Sequence, residues 1–113
     1  MNTKQLLQLI FGLIIAGMLW VTTRASLDRG VFTAAGELMG DPWFLATLFD
    51  AYFGFLTFYV WVFYKEATLA GRLIWFFLIM ALGNFAMAFY VLRELHRLAP
   101  GQPVSAILLR RTA

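Results

Sequence analysis

The chain has 113 residues, of which 62% are hydrophobic, 18% aromatic and 13% charged. Soluble domains carry about 25% charged residues, and a chain this short cannot bury so much apolar surface within itself. The absence of cysteine excludes disulfides, thiolate metal sites and cysteine nucleophiles. The net charge of +3 does not indicate nucleic-acid binding, because the basic residues flank apolar runs and form no patch with exposed aromatic residues. The composition therefore predicts one integral membrane domain covering residues 1–113.

Three apolar runs are long enough to cross a bilayer, at residues 6–23, 42–64 and 73–92. A crossing helix needs about 20 predominantly apolar residues. In hydrocarbon the backbone must form its own hydrogen bonds, so these runs should be helices. The first run exceeds the about 7–15 apolar residues of a signal peptide, which favours a retained anchor. The sequence thus predicts an all-α fold with three transmembrane helices in a small bundle.

The sequence also predicts where the helices begin and end and how they are connected. Asp41-Pro42 combines a capping carboxylate with a proline at the first helical position, which predicts the start of the second helix. The short turn from Lys65 to Arg72 predicts that the second and third helices form an antiparallel hairpin. The link at 26–40 has apolar residues at near-helical spacing and predicts a short amphipathic segment in the membrane interface. Pro100-Gly101 should end the last helix and leave a tail at 100–113.

Three crossings would place the two ends of the chain on opposite sides of the membrane. Lys4, Lys65 and Arg72 would share one side. Six arginines would share the other side, namely Arg24, Arg29, Arg93, Arg97, Arg110 and Arg111. Cytoplasmic segments carry an excess of Lys and Arg. The side with six basic residues, which holds the C-terminus, is therefore predicted to be cytoplasmic.

Asp50 is the residue most indicative of a site, because a carboxylate inside a spanning helix costs about 2.5–3.5 kcal/mol near the helix centre. It lies eight residues into the second helix, and Asn84 lies eight residues before the end of the third. At the α-helical rise, both would be about 12 Å from the same membrane face. We therefore predict an intramembrane polar site made by Asp50 and Asn84 together with three further residues: Thr47, Arg24 and Tyr90.

This site has three interpretations. In the first, Asp50 and Asn84 only hydrogen-bond to each other and fix the helix packing, as polar groups in membrane bundles do. In the second, they form a functional site that opens towards Arg24. In the third, Asp50 belongs to a proton or ion relay, although one acid makes no chain of relays.

Other features give little indication of chemistry. The aromatic residues of the second helix could stack on a flat apolar ligand such as a quinone or a carotenoid, or simply contact lipid. His96 is expected near the headgroups, where it is a poor haem ligand. No metal cluster, phosphate-binding loop or nucleophile elbow is found in the sequence, so no cofactor or metal is predicted. The three-helix topology would place Glu66 and Glu94 on opposite faces of the membrane.

Two stretches resemble a known family. They are Asp41-Pro42-Trp43 with the run from Asp50 to Glu66, and Ile74-Trp75 with Leu82-Gly83-Asn84 and Ala86-Met87-Ala88. Together they resemble small bacterial membrane proteins, with plant relatives, that are classed as a domain of unknown function. The resemblance implies a three-span helical fold in the bacterial inner membrane and implies no activity. The paired acidic motif of the small three-span lycopene cyclase subunits is absent.

These observations leave three hypotheses for function. The first is a non-enzymatic accessory or assembly component, acting as a homo-oligomer or within a larger membrane complex. The second is a binder or carrier of a quinone, carotenoid or lipid, with Asp50 and Asn84 as its polar end. The third is a membrane enzyme acting on a lipid or isoprenoid, which would need a second catalytic group beside Asp50. The expected partners are membrane lipids and other membrane helices, and nucleic acid is not expected.

Overall fold

The computed structural model describes residues 1–110, and the remainder of the tail, including Arg111, lies outside the described residues. In chain order the structure contains α1 (Thr3–Asp28), α2 (Val31–Leu38), α3 (Pro42–Lys65), α4 (Leu69–Leu82), α5 (Asn84–His96) and a 3-10 helix (Val104–Leu108). Residues 1–110 contain no strand, so the predicted all-α class is confirmed. The helices α1 and α3 are long and apolar enough to cross a membrane.

Side-chain caps determine where three of these helices begin. The carboxylate of Asp41 accepts a hydrogen bond of 2.9 Å from the backbone N–H of Trp43, and α3 starts at Pro42 as the sequence predicts. Asn2 forms a capping box with Gln5 at the start of α1. The hydroxyl of Thr68 caps α4. Each cap satisfies backbone N–H groups that a helix start otherwise leaves without a partner.

The predicted third helix over 73–92 is wrong, because Gly83 divides this segment into α4 and α5. Gly83 has a φ of 55°, a left-handed value that residues with a side chain rarely adopt. A β-carbon added there would lie 2.7 Å from Cζ of Phe55, so the ring of α3 occupies the space that a side chain would need. The apolar run is therefore continuous in sequence and broken in structure.

The helix α5 runs back along α4. The ring of Trp75 in α4 lies 4.7 Å from that of Tyr90 and 6.4 Å from that of Phe89, both in α5. These contacts join residues on either side of Gly83, as expected for an antiparallel helical hairpin. With 14 residues, α4 is about 21 Å long, which is shorter than the about 30 Å of bilayer hydrocarbon.

The start of α1 packs beside the end of α5. Leu7 and Phe11 of α1 contact the cluster formed by Val91 and Leu95 of α5 with Ile107 of the 3-10 helix. One end of the molecule, here called the basal end, therefore holds the start of α1, the end of α3, the start of α4, the end of α5 and the 3-10 helix. The opposite, distal end holds the end of α1, α2 and the start of α3.

This arrangement corrects the predicted grouping of charges. Arg93, Arg97 and Arg110 lie at the basal end with Lys65, whereas the three-helix topology placed them on the side of Arg29. The physical reason is the reversal at Gly83, which returns the chain to the end from which α4 begins. The six-against-three count that favoured a cytoplasmic C-terminus therefore rested on a wrong grouping.

Burial is concentrated towards the basal end. The buried apolar residues are Val62, Trp75, Ile79, Ala86, Ala88, Tyr90, Val91, Leu95 and Ile107. Neither α1 nor α2 contains a buried residue, and the buried residues of α3 lie in its last turn. In the predicted interfacial link at 26–40, α1 continues to Asp28 and α2 follows, with an ion pair between Arg29 and Glu37. The position of this link in the membrane interface stays a prediction.

Candidate functional site

The predicted intramembrane site is dispersed in the structure. The hydroxyl of Thr47 donates a hydrogen bond of 2.9 Å to the carbonyl of Trp43, one turn earlier in the same helix. The guanidinium of Arg24 lies 5.7 Å from the ring centre of Trp20, also in its own helix. Within residues 1–110, neither side chain forms a hydrogen bond or an ion pair with the other polar groups predicted for the site.

The hydrogen bond predicted between Asp50 and Asn84 is not formed. Both side chains are exposed, and within residues 1–110 neither has a hydrogen bond or an ion pair through its side chain. Asn84 faces Phe11 and Ile14 of α1 and Phe58 of α3. Its level in the molecule agrees with that of Asp50, since α4 rises about 21 Å to Gly83 and Asp50 lies about 22 Å from the end of α3. The two residues therefore lie at a similar level, although the prediction derived this level from one continuous helix ending at Leu92, which the structure does not contain.

Tyr90 belongs to a different cluster, at the basal end. Its side chain is fully buried among the rings of Trp61, Trp75 and Phe58. The hydroxyl of Tyr90 donates a hydrogen bond of 2.9 Å to Oε2 of Glu66. This contact joins α5 to the first residue after α3, and the sequence pattern does not predict it.

A buried ion pair lies beside this contact. Nζ of Lys65 is 2.7 Å from Oε1 of Glu94, and the two side chains are only 2% and 1% exposed. Nζ of Lys65 also donates a hydrogen bond to the carbonyl oxygen of Ile107, and it lies 5.3 Å from the ring centre of Trp61. The ammonium group thereby links α3, α5 and the 3-10 helix.

Three arginines surround these groups. Nη1 of Arg97 is 3.8 Å from Oε2 of Glu94, and Nη1 of Arg93 is 4.0 Å from Oε2 of Glu66. Nε of Arg72 donates hydrogen bonds of 3.0 Å to the backbone carbonyls of Phe63 and Glu66, which fixes the turn between α3 and α4. Among the described residues, Nη1 of Arg93 has no hydrogen-bond partner.

Together these side chains form what we call the basal ion cluster: Lys65, Glu66, Arg72, Tyr90, Arg93, Glu94 and Arg97. The prediction that Glu66 and Glu94 lie on opposite faces is wrong, again because the chain reverses at Gly83. Both carboxylates have cationic or hydroxyl partners, which join the end of α3 and the turn after it to α5. The available signal in the sequence was Gly83-Asn84, a dipeptide typical of turns, inside an apolar run.

Two of the cavities among the described residues bear on function. A pocket of about 280 Å³ at the basal end is lined by Lys65, Glu94, Arg97, Arg110 and residues of the tail. A second space of about 310 Å³ lies between α1 and the α4–α5 hairpin and is lined by apolar side chains that include Ile15, Trp75 and Phe89. No group of three or more potential metal-ligating residues occurs in the part of the chain that the structure describes.

Residues 4–113 match a family described as a protein of unknown function, DUF1475. The chain belongs to this family. The match confirms that the resemblance found in the sequence is to a family of unknown function, and it covers nearly the whole chain. No curated protein and no solved structure matches the chain. Any activity of this DUF1475 protein must therefore be argued from its own residues, and these concentrate their polar contacts at the basal end.

Proposed function

We propose that this chain is a non-enzymatic membrane protein that acts by assembling with other membrane helices, and that its partner is a second copy of itself. In the proposed topology α1 and α3 cross the bilayer, and the α4–α5 hairpin enters from the basal side without crossing. The engagement of Glu66 and Glu94 within the basal ion cluster supports a structural rather than a catalytic role for these acids.

The distribution of charge supports a cytoplasmic basal end in a bacterial inner membrane. Six described Lys and Arg residues lie at the basal end, namely Lys4, Lys65, Arg72, Arg93, Arg97 and Arg110. Arg24 and Arg29 lie towards the distal end. The positive-inside rule applies to short segments next to spanning helices, and both groups of charges lie in such segments.

The observation that carries the proposal is the environment of Asp50. Its carboxylate lies about 12 Å from the start of α3, in the part of the helix where no residue is buried, and has no partner among the described residues. An acid at this depth of a spanning helix costs about 2.5–3.5 kcal/mol near the centre unless it is paired. A partner from outside the chain would remove this cost.

Arg24 offers the complementary charge. It lies four residues before the end of α1, about 6 Å from the distal end, and forms no ion pair within residues 1–110. The difference of about 6 Å in level is within reach of a long arginine side chain that extends along the helix. A two-fold dimer would use the pair twice, with Arg24 of each copy meeting Asp50 of the other.

Charge reversal tests this assembly. We expect Asp50→Arg and Arg24→Asp each to weaken the dimer and the double variant to restore it, since the double variant recreates both ion pairs in the opposite sense. The dimer fraction would be measured in lipid bilayers by single-molecule photobleaching at a series of protein-to-lipid ratios. Arg29→Asp is the matched control, because Arg29 is also distal but already pairs with Glu37.

Cysteine cross-linking gives a second measurement. The chain has no native cysteine, so only the introduced thiols can form a disulfide. Val21→Cys in one tagged copy should form a disulfide with Thr47→Cys in a differently tagged copy, because these positions lie one turn from Arg24 and Asp50. A strictly monomeric protein at high protein-to-lipid ratio, or a double charge-reversal variant as weak as the single ones, would contradict the proposal.

The apolar space between α1 and the α4–α5 hairpin favours a second candidate function, the binding of a quinone, carotenoid or lipid chain. Its lining includes Trp75, Phe85 and Phe89 and offers aromatic surface to a flat ligand. Neither Asp50 nor Asn84 lines this space, so the polar end expected from the sequence is missing there. Absorbance spectra and mass spectrometry of gently purified protein would test this candidate, and a colourless preparation without ligand would contradict it.

A further inference from the structure

The basal pocket has a marked excess of positive charge. Lys65, Arg97 and Arg110 contribute three positive charges to its lining and Glu94 contributes one negative charge, which leaves two positive charges. The carboxylate of Glu94 is held between Lys65 and Arg97 at 2.7 and 3.8 Å, so its charge is already compensated. A cavity with this balance attracts an anion of one or two charges.

Arg110 is positioned to meet such an anion. Its Nε donates a hydrogen bond of 2.7 Å to the carbonyl of Tyr64, and its guanidinium lies 5.1 Å from the ring centre of Tyr64. These contacts fix the planar group at the pocket, while its two terminal nitrogens make no hydrogen bond with the described residues. A guanidinium with both terminal nitrogens available matches the geometry of phosphate oxygens.

The surroundings of the pocket are typical of a membrane interface. It lies at the end of α3, beside Trp61 and Tyr64, which are residue types that concentrate at the headgroup level. Leu108 and Leu109 are exposed next to Arg110, so apolar side chains and a cation adjoin each other at the surface. A free ion would gain nothing from the exposed leucines, whereas a lipid would place its acyl chains on them and its phosphate in the pocket.

We propose that the basal pocket binds the phosphate group of an anionic phospholipid, with Arg110 and Arg97 as the cationic groups and the buried Lys65 adding positive charge to the lining. The phosphodiester lies against the guanidinium of Arg110, and Leu108 and Leu109 contact the first carbons of the acyl chains. The site would tie the tail to the headgroup layer and add to the contacts that the 3-10 helix makes with Lys65 and Trp61.

Native mass spectrometry of the full chain tests the proposal, using protein released from nanodiscs of phosphatidylglycerol and phosphatidylcholine mixed in equal amounts. We expect selective retention of phosphatidylglycerol. Arg110→Gln should weaken its binding by about tenfold or more, since it removes a hydrogen bond between two charged groups. Arg110→Lys keeps the charge but loses the planar guanidinium with its two terminal nitrogens. Its retention of phosphatidylglycerol should lie between that of Arg110→Gln and that of the unaltered protein.

Matched controls separate the site from general electrostatics. Arg29→Gln removes the same charge at the distal end and should leave retention unchanged. Helicity measured by circular dichroism should be unaltered in Arg110→Gln, because Arg110 is exposed and bonds only one backbone carbonyl. Equal retention of both lipids, or equal losses in Arg110→Gln and Arg29→Gln, would overturn the proposal.

A competition arm distinguishes the two possible sources of phosphate. Inorganic phosphate added in millimolar excess should not displace phosphatidylglycerol, because the free ion makes no contact with Leu108 and Leu109. Full displacement by inorganic phosphate, but not by the same concentration of chloride, would identify a soluble phosphate as the ligand and overturn the assignment to lipid.

Discussion

The basal and distal ends of this molecule share the helices α1 and α3 but hold them in different ways. At the basal end, the ends of α3 and α5 and the 3-10 helix meet around Lys65 and Glu94, with a buried aromatic cluster beside them. At the distal end, α1, α2 and the start of α3 bury no residue of their own. The chain therefore fixes its own structure at one end, and the proposed assembly would use the helices of the other end.

The topology gives the sharpest test of this comparison, since its outcome is all or none. Single cysteines at Thr68 and Gln102, both basal, should be labelled by an impermeant reagent from one side of the membrane, and a cysteine at Gly36 only from the other. The chain has no native cysteine to interfere. Labelling of Gln102→Cys together with Gly36→Cys would show that the α4–α5 segment crosses the membrane and that the hairpin is wrong.

Breaking the buried ion pair should have the largest effect on stability. Glu94→Leu leaves the buried ammonium of Lys65 without its carboxylate, and Lys65→Met removes the nearest cation from the buried carboxylate of Glu94. We expect each to lower the free energy of unfolding, by about 3–5 kcal/mol for Glu94→Leu and by less for Lys65→Met, because Arg97 still lies 3.8 Å from Glu94. The double variant should recover most of this loss, because an apolar pair of similar volume needs no desolvation of charge. Unfolding in lipid bilayers or mild detergent would provide the measurement.

A matched control comes from the distal ion pair between Arg29 and Glu37, whose side chains are about half exposed. Exposed pairs contribute about 0–1 kcal/mol, so Glu37→Gln should change stability little. If Lys65→Met and Glu37→Gln had equal effects, the contrast between the two ends would be contradicted.

Gly83→Ala should have an intermediate effect. An alanine there must adopt a φ of 55° and place its β-carbon against Phe55, so we expect a loss of about 1–3 kcal/mol in the free energy of unfolding. Gly54→Ala is the control, because no atom lies within 4 Å of its added β-carbon and alanine favours a helix. Equal stability of the two variants would argue that Gly83 does not determine the reversal.

The smallest effect is expected at the distal start of α3. Asp41→Ala removes the side chain that caps the backbone N–H of Trp43, and should cost about 1 kcal/mol. Asp41→Asn keeps an accepting oxygen and should cost less. If Asp41→Ala lowered the free energy of unfolding as much as Lys65→Met, the two ends would unfold together. The contrast in burial between them would then not reflect a contrast in stability.

The sequence by itself determined the helical class and the position of α3. Apolar runs of this length favour helices wherever they lie, and the cap at Asp41-Pro42 depends only on neighbouring residues. Local rules of this kind also predicted a helical segment between α1 and α3. They also place Asp50 about 12 Å from the start of α3, because its distance along that helix follows from helical rise alone.

Only the tertiary structure decided the reversal at Gly83 and everything that depends on it. Residues 73–92 are apolar throughout apart from Asn84, so hydropathy cannot distinguish one crossing helix from two shorter helices that fold back on each other. The reversal depends on Phe55 of α3 filling the space beside Gly83, a contact between residues far apart in sequence. The pairing of Lys65 with Glu94 follows from that same reversal, because the reversal brings the end of α5 beside the end of α3.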